Sequence, residues 1–338
     1  MPDQTIIVGA GVAGLECARR LHRAGRGTVV LERTPWVGGR CATRRFEGQP
    51  VDVGPMFFHG QDPGFLTALG QVAGGTVLEA WPRRVQGGSR PCQPDALDPV
   101  SRRLAFAEGL NAFPRHLAAD LDVRLQTTVT AIRPLEQGFE VTTGDGTVFR
   151  GRDLVLALAL EETLALLATL PASAESASIQ ALLGMFFSVP SLTLIAGYPA
   201  GANTPPPWDL LLPESEVLQL IAHDSAKRIE PRFLTLVCQA RPKWSRVRLE
   251  QPMVEWAPEL LNAASAELGP WALRPLWTFP HRWRHARVDR SCELAQPVRI
   301  RFDHGQTLGL AGDVFSPGGG IQAAWRSGGR LAESLLLG

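Results

Sequence analysis

Apolar positions along the chain follow two periods. Ile6-Ile7-Val8 is a continuous apolar run, the pattern of a strand buried on both faces of a parallel sheet. Leu15, Ala18 and Leu21 follow at helical spacing, and Val29-Val30-Leu31 is a second buried run, so the chain opens as strand, helix, strand. Residues 109–114 (Gly-Leu-Asn-Ala-Phe-Pro) open a predicted helix that runs to Leu121. Short strands are expected over 121–159, with turns at Glu136-Gln137-Gly138 and Gly144-Asp145-Gly146 and a last, continuous apolar strand at 154–158. From about 165 to 285 the pattern predicts alternating strands, such as 192–195 and 233–237, and a helix at 254–268 started near Pro252. A strand at 308–311 and a helix from about Ile321 close the chain. Residues 60–105, rich in Pro, Gly and Arg, change register often, and Pro205-Pro206-Pro207 reads as a stiff loop.

No apolar run approaches the ~18 residues needed to span a bilayer. The chain enters its first strand without a charged-then-apolar leader, which leads to the expectation of a cytoplasmic protein. A formal net charge of +1 argues against nucleic-acid or membrane partners and leaves a monomer or homodimer open. The five cysteines include no C-x-x-C pair or Cys/His cluster, so neither a zinc site nor a disulfide framework is expected. Aromatics are lopsided: nine Trp and fourteen Phe against one Tyr, Tyr198.

Gly9, Gly11 and Gly14 form G-x-G-x-x-G between the first strand and its helix. Gly9 suits the tight turn, Gly11 the approach of a pyrophosphate, and Gly14 close packing of helix on strand. The free N–H groups of the helix start suit phosphates. Glu32 ends the second strand 18 residues after Gly14, where a carboxylate grips a ribose. Arg33 adjoins it as a further cofactor candidate.

Gly38-Gly39-Arg40 completes E-x(5)-G-G-R, which resembles the two-dinucleotide-binding-domain flavoproteins. The resemblance places Gly39 and Arg40 along the FAD pyrophosphate and flavin, and Asp52-Val53-Gly54 continues it. Gly312-Asp313, followed by Gly318-Gly319-Gly320 and a helix at Ile321, resembles the second FAD fingerprint. It implies Asp313 at the ribityl–pyrophosphate region and the helix start at the flavin. Val129 falls where such proteins offer backbone to the adenine. Ser316 to Gln322 holds no cysteine, so the expected FAD is non-covalent.

The expected fold class is α/β: a discontinuous Rossmann-like FAD domain (1–60, 100–165, 286–338) with an inserted, mostly antiparallel β-sheet substrate domain (61–99, 166–285). His281-Arg282-Trp283-Arg284, shortly before the second fingerprint, resembles the renalase-like branch of the flavin amine oxidase superfamily. The resemblance implies hydride transfer to FAD from a small substrate, a 2- or 6-dihydro isomer of NAD(P)H, with O2 as acceptor. The sequence departs from that branch at Pro55-Met56-Phe57-Phe58-His59 and at His285. Trp283, Phe57 and Phe58 are candidate walls. His281 and His59 are candidate bases or structural histidines, and Arg282 and Arg284 candidate holders of a substrate phosphate or carboxylate. An amine oxidase, another FAD-dependent dehydrogenase, a desaturase and a non-catalytic FAD sensor are the alternatives.

Overall fold

The computed structural model describes residues 4–72, 74–89, 94–201, 206–289, 292–302 and 305–337. Cys92, Pro205 and His304 lie outside them. The chain forms two compact units: Met1–Cys41, Phe113–Ser188 and Arg287–Gly338 make the first, Ala42–Ala112 and Val189–Ala286 the second.

In the first unit a six-stranded sheet runs in the order Val298–Arg301, Thr307–Leu310, Asp153–Leu156, Gln4–Val8, Gly27–Leu31, Val123–Arg124. All neighbours pair parallel except the Val298–Arg301 edge. Ile6, Val29, Leu154 and Leu308 lie in register, as do Val8, Leu31, Leu156 and Leu310. Both rows join one apolar core with Ile132, Phe139 and Val141 of an antiparallel three-stranded sheet. On the other face Gly309 lies under Leu331 of the helix Gly320–Leu336. That helix crosses Val12–Arg23 so tightly that a Cβ on Gly328 would sit 2.0 Å from the Ala13 carbonyl oxygen. Gly9, Glu32 and Ala311-Gly312 directly follow three parallel strands, at the carboxyl edge where open α/β sheets bind ligands.

The second unit is built on a sheet ordered Trp277–Val288, Ser188–Pro199, Phe233–Ala240, Leu218–His223, Leu210–Leu211, Val85–Gln86. Phe233–Ala240 pairs antiparallel with Ser188–Pro199 and with Leu218–His223, and Leu218–His223 pairs antiparallel with Leu210–Leu211, whereas the short Leu210–Leu211/Val85–Gln86 contact is parallel. The helix Met253–Leu268 covers one face through Trp256, Leu260 and Ala264. The single tyrosine, Tyr198, is buried in this core and donates to the Ala272 carbonyl.

The units divide the chain differently from the sequence reading by one residue at Ala286 and by longer segments in three places. Residues 42–60 pack in the second unit because the hairpin Thr43–Phe46/Gln49–Asp52 is held there, Phe46 stacking on Trp277 and Asp52 pairing with Lys227. Residues 100–112 follow, since Arg102–Phe106 is the middle strand between Phe58–Gly60 and Val77–Glu79. Residues 166–188 join the first unit, where Leu166, Leu167, Leu170 and Leu183 fill the core. The helix expected to reach Leu121 is shorter, Ala112–Ala118. Among the described residues no helix is long and apolar enough to cross a membrane.

Candidate functional site

The glycines of the first fingerprint serve different neighbours. A Cβ on Gly14 would lie 2.1 Å from the Gly9 carbonyl oxygen, and one on Gly9 2.5 Å from that of Ala157, so the protein's own packing demands both glycines. A Cβ on Gly11 would meet nothing within 4 Å. Its φ of −74° suits any residue, so neither packing nor backbone requires glycine there. The open space before the helix Val12–Arg23 is a cradle that a side chain would fill.

The helix start has no side-chain cap and no acid in its first turn, leaving its N–H groups for an anion. The same holds at Gly320–Leu336, entered through Gly318, Gly319 and Gly320 at φ 93°, 58° and 70°, a left-handed run that only glycine makes without strain. Ile321 lies in the first turn of that helix. The second glycine pair is tied to the first loop: Gly38 N–H donates to the Ala10 carbonyl at 2.8 Å, and a Cβ on Gly39 would lie 3.5 Å from Gly11 Cα.

Glu32 is buried and builds the loop as well as facing it. Its Oε2 accepts the Ala10 N–H at 2.9 Å, and its Oε1 accepts the Thr34 N–H and hydroxyl at 2.9 and 2.8 Å. Oε2 retains a lone pair for a ribose hydroxyl. The Arg33 guanidinium pairs with Glu162 at 2.6 Å on the surface. Arg40 and Asp313 meet each other in a two-fold pair at 2.8 and 2.7 Å. Burial disfavours the Asp313 charge, but Arg40 outweighs it and holds the carboxyl below its usual range. Gly312 N–H donates to Ser327 Oγ, and Val129 begins the antiparallel strand Val129–Leu135. The glycine cradle, two uncapped helix starts and Glu32 fit a dinucleotide diphosphate with its ribose.

In the second unit an aromatic stripe runs along Trp277–Val288. Phe46 stacks on Trp277 with ring centroids 4.5 Å apart, Phe279 lies 6.2 Å from His281, and His281 lies 4.4 Å from Trp283. Trp277, Phe279, His281 and Trp283 alternate along the strand and share one face. Trp283 is fixed by its indole N–H donating to the Val53 carbonyl at 2.9 Å. His281 Nε2 is buried without a hydrogen-bond partner among the described residues. Burial, helped by the Arg44 guanidinium, pushes the His281 pKa down to about 4, so its imidazole is neutral at physiological pH. Arg44 escaped the sequence reading, although its place two residues before Phe46 on a strand was a signal.

The pleat separates Arg282 from this face, and its guanidinium donates to the Gln251 carbonyl. Arg284 pairs with Glu250. Phe57 packs against His59 and Trp81, each at 6.0 Å. Phe58 is not a wall: it is fully buried between Phe65 and Phe106.

Asp52 lies at the centre of a buried charge cluster. Its Oδ2 accepts from Lys227 Nζ at 2.5 Å and Arg228 Nη2 at 2.8 Å, and its Oδ1 from Thr43 Oγ1 and Leu110 N–H. Asp224 completes two carboxylates against two cations. Only the local D-x-x-K-R spacing of Asp224, Lys227 and Arg228 hinted at this group.

The sequence pattern of the flavin containing amine oxidoreductases matches residues 12–87 and 95–336. The chain belongs to that family. The family's cofactor is FAD, and its members are FAD-dependent oxidoreductases. Among curated relatives, pseudooxynicotine dehydrogenase of Pseudomonas sp is 37% identical over 64 residues, 19% of this chain and 13% of that protein. Phytoene desaturase of Cercospora nicotianae is 46% identical over 50 residues, 15% of this chain and 8% of that protein. The matched stretches thus span a small part of these relatives. A solved structure of putrescine oxidase bound to putrescine superposes with a TM-score of 0.73 at 15% identity, covering 100% of both chains, and shares the mixed α/β fold.

Proposed function

We propose that this flavin amine oxidoreductase is a renalase-like oxidase, with a 2- or 6-dihydro isomer of NAD(P)H as substrate and O2 as electron acceptor. The observation that carries the reading is the aromatic stripe around His281, uncharged itself and set in the positive field of Arg44. A protonated amine would be repelled there, and a phosphate-bearing dihydropyridine attracted. Tyr198, buried with its hydroxyl committed to Ala272, cannot contribute to a tyrosine cage for an amine.

FAD, when bound, supplies the hydride acceptor. It would be held non-covalently by the Gly9–Gly14 loop, Glu32, the Arg40–Asp313 pair and the helix start at Gly320. Within the second unit, Trp283 and His281 would offer flat, water-excluding faces to a substrate ring. Loss of hydride from a dihydropyridine restores an aromatic pyridinium cation, so no side chain need remove a proton. With O2 as acceptor, the hydride's two electrons and proton, together with one proton from solvent, would leave as hydrogen peroxide. A neutral His281 suits this role, because stacking rather than proton transfer is asked of it.

Anaerobic stopped-flow bleaching of the FAD-loaded protein tests the reading. The dihydro isomers are expected to bleach the flavin faster than NADH or any of a panel of primary amines. Fast bleaching by an amine with none by the isomers would return the protein to amine oxidation.

A further inference from the structure

A cavity of about 230 Å3 is lined by Leu78, Trp81, Arg83, Arg84, Asp209 and Ala226, all in the second unit. It is smaller than the ~300–1,000 Å3 usual for drug-sized ligands and holds a one-ring molecule or several waters of about 30 Å3 each.

Its polar side is firmly built. Asp209 Oδ2 accepts the backbone N–H groups of Arg83 and Arg84 at 2.8 and 3.0 Å, and Oδ1 accepts Arg84 Nη2 at 2.8 Å. Burial disfavours the Asp209 charge, but these donors outweigh it and keep the carboxyl below its usual range. Asp209 and Arg84 therefore cancel, and Arg83 leaves the lining with one net positive charge. Arg83 Nε donates to the Glu79 carbonyl at 3.2 Å, which fixes the stem, while its two Nη atoms have no partner among the described residues.

The apolar side is equally defined. Trp81 is 4% exposed, with Leu78 and Ala226 beside it in the lining. Its indole N–H is buried and finds no acceptor among the described residues. A buried donor left without an acceptor is costly, so it calls for one. Lys227 stands 4.7 Å from the Trp81 ring and adds positive potential, its Nζ already shared among Asp52, Asp224 and the Met56 carbonyl.

We propose that this cavity binds a small planar monocarboxylate of the benzoate kind, its ring against Trp81 and Leu78 and its carboxylate on Arg83. A guanidinium fork matches a carboxylate edge. One net positive charge matches a monoanion, whereas a phosphate dianion would face Asp209 with a charge left over.

Isothermal titration of the FAD-loaded protein with sodium benzoate tests this, with benzamide and inorganic phosphate as comparison ligands. Benzoate is expected to saturate one site per chain. Arg83→Gln, on an exposed side chain, should weaken it about tenfold, or about 1.4 kcal/mol. Trp81→Phe, which keeps a ring and deletes the N–H, should weaken it less, and benzamide should bind about tenfold more weakly than benzoate to the unaltered protein. Absence of saturable benzoate binding would overturn the proposal. So would binding indifferent to Arg83→Gln, benzamide as tight as benzoate, or phosphate tighter than benzoate. The measurement needs no turnover, so its outcome is separate from that of the substrate assignment.

Discussion

The guanidinium of Arg40 lies two-fold on the carboxylate of Asp313, Nη1 to Oδ2 at 2.8 Å and Nη2 to Oδ1 at 2.7 Å. The two residues stand 273 positions apart and belong to the two fingerprints that sequence reasoning handles separately. The pair joins the loop after Gly39 to the turn after the Thr307–Leu310 strand. A double-mutant cycle of Arg40→Met and Asp313→Asn, followed by urea unfolding of FAD-free protein, should return a coupling energy of about 1–3 kcal/mol. A value near zero would mean that the pair contributes nothing to joining the segments.

Gly11 and Gly14 should part company when each is changed to alanine. Gly14→Ala drives a Cβ toward the Gly9 carbonyl at 2.1 Å and should lower the melting temperature with or without FAD. Gly11→Ala puts its methyl into open space and should melt as the unaltered protein does without FAD. Its cost should fall on FAD affinity, a rise in Kd of about tenfold or more. If FAD binds Gly11→Ala normally, the cradle has been misplaced.

Glu32→Ala should have both effects. It strips acceptors from the N–H groups of Ala10 and Thr34, which should cost FAD-free protein about 1–3 kcal/mol in urea unfolding. Loss of the ribose contact should raise the Kd for FAD by about one to two decades. Lost stability with unchanged FAD affinity would leave Glu32 as a loop brace alone.

The first fingerprint was legible because strand, glycines, helix and acid are contiguous, and each places the next. Gly328 was not legible: its need for glycine comes from Ala13, on a helix at the other end of the chain. The buried cluster was hidden for the same reason, since Asp52 and Asp224 meet across 172 residues. In H-R-W-R the string and the strand group residues differently. As a string it groups Arg282 with His281 and Trp283, but a strand sends neighbours to opposite faces. The grouping that the structure makes, Trp277, Phe279, His281 and Trp283, was present in the sequence as an alternation of rings.

His281 should titrate near pH 4 when followed by NMR of its ring protons, because burial and then Arg44 disfavour the cation. Arg44→Met should raise that value. In the unfolded chain the group takes up a proton near pH 6.5, before the folded one does. The stability linked to His281 is therefore full above about pH 6.5 and is lost as pH falls toward 4. A His281 that titrates at its ordinary value would remove the basis for a neutral wall.

Lys227 and Asp52 offer the sharpest contrast between one change and two. Lys227→Met leaves Asp52 and Asp224 sharing Arg228, a buried excess of negative charge. The expected loss is about 3–5 kcal/mol in urea unfolding. Adding Asp52→Asn restores neutrality and should recover part of it. Acid should separate them further. Burial raises the Asp52 pKa, but Lys227 and Arg228 outweigh it and hold it well below the usual range. Its contribution is thus fully present above the unfolded value of about 3.9 and is lost as pH falls below that. Asp52→Asn should lose less stability than the unaltered protein between about pH 4 and 2. Parallel acid curves for the two proteins, or a double variant no better than Lys227→Met, would show that charge balance is not what the cluster maintains.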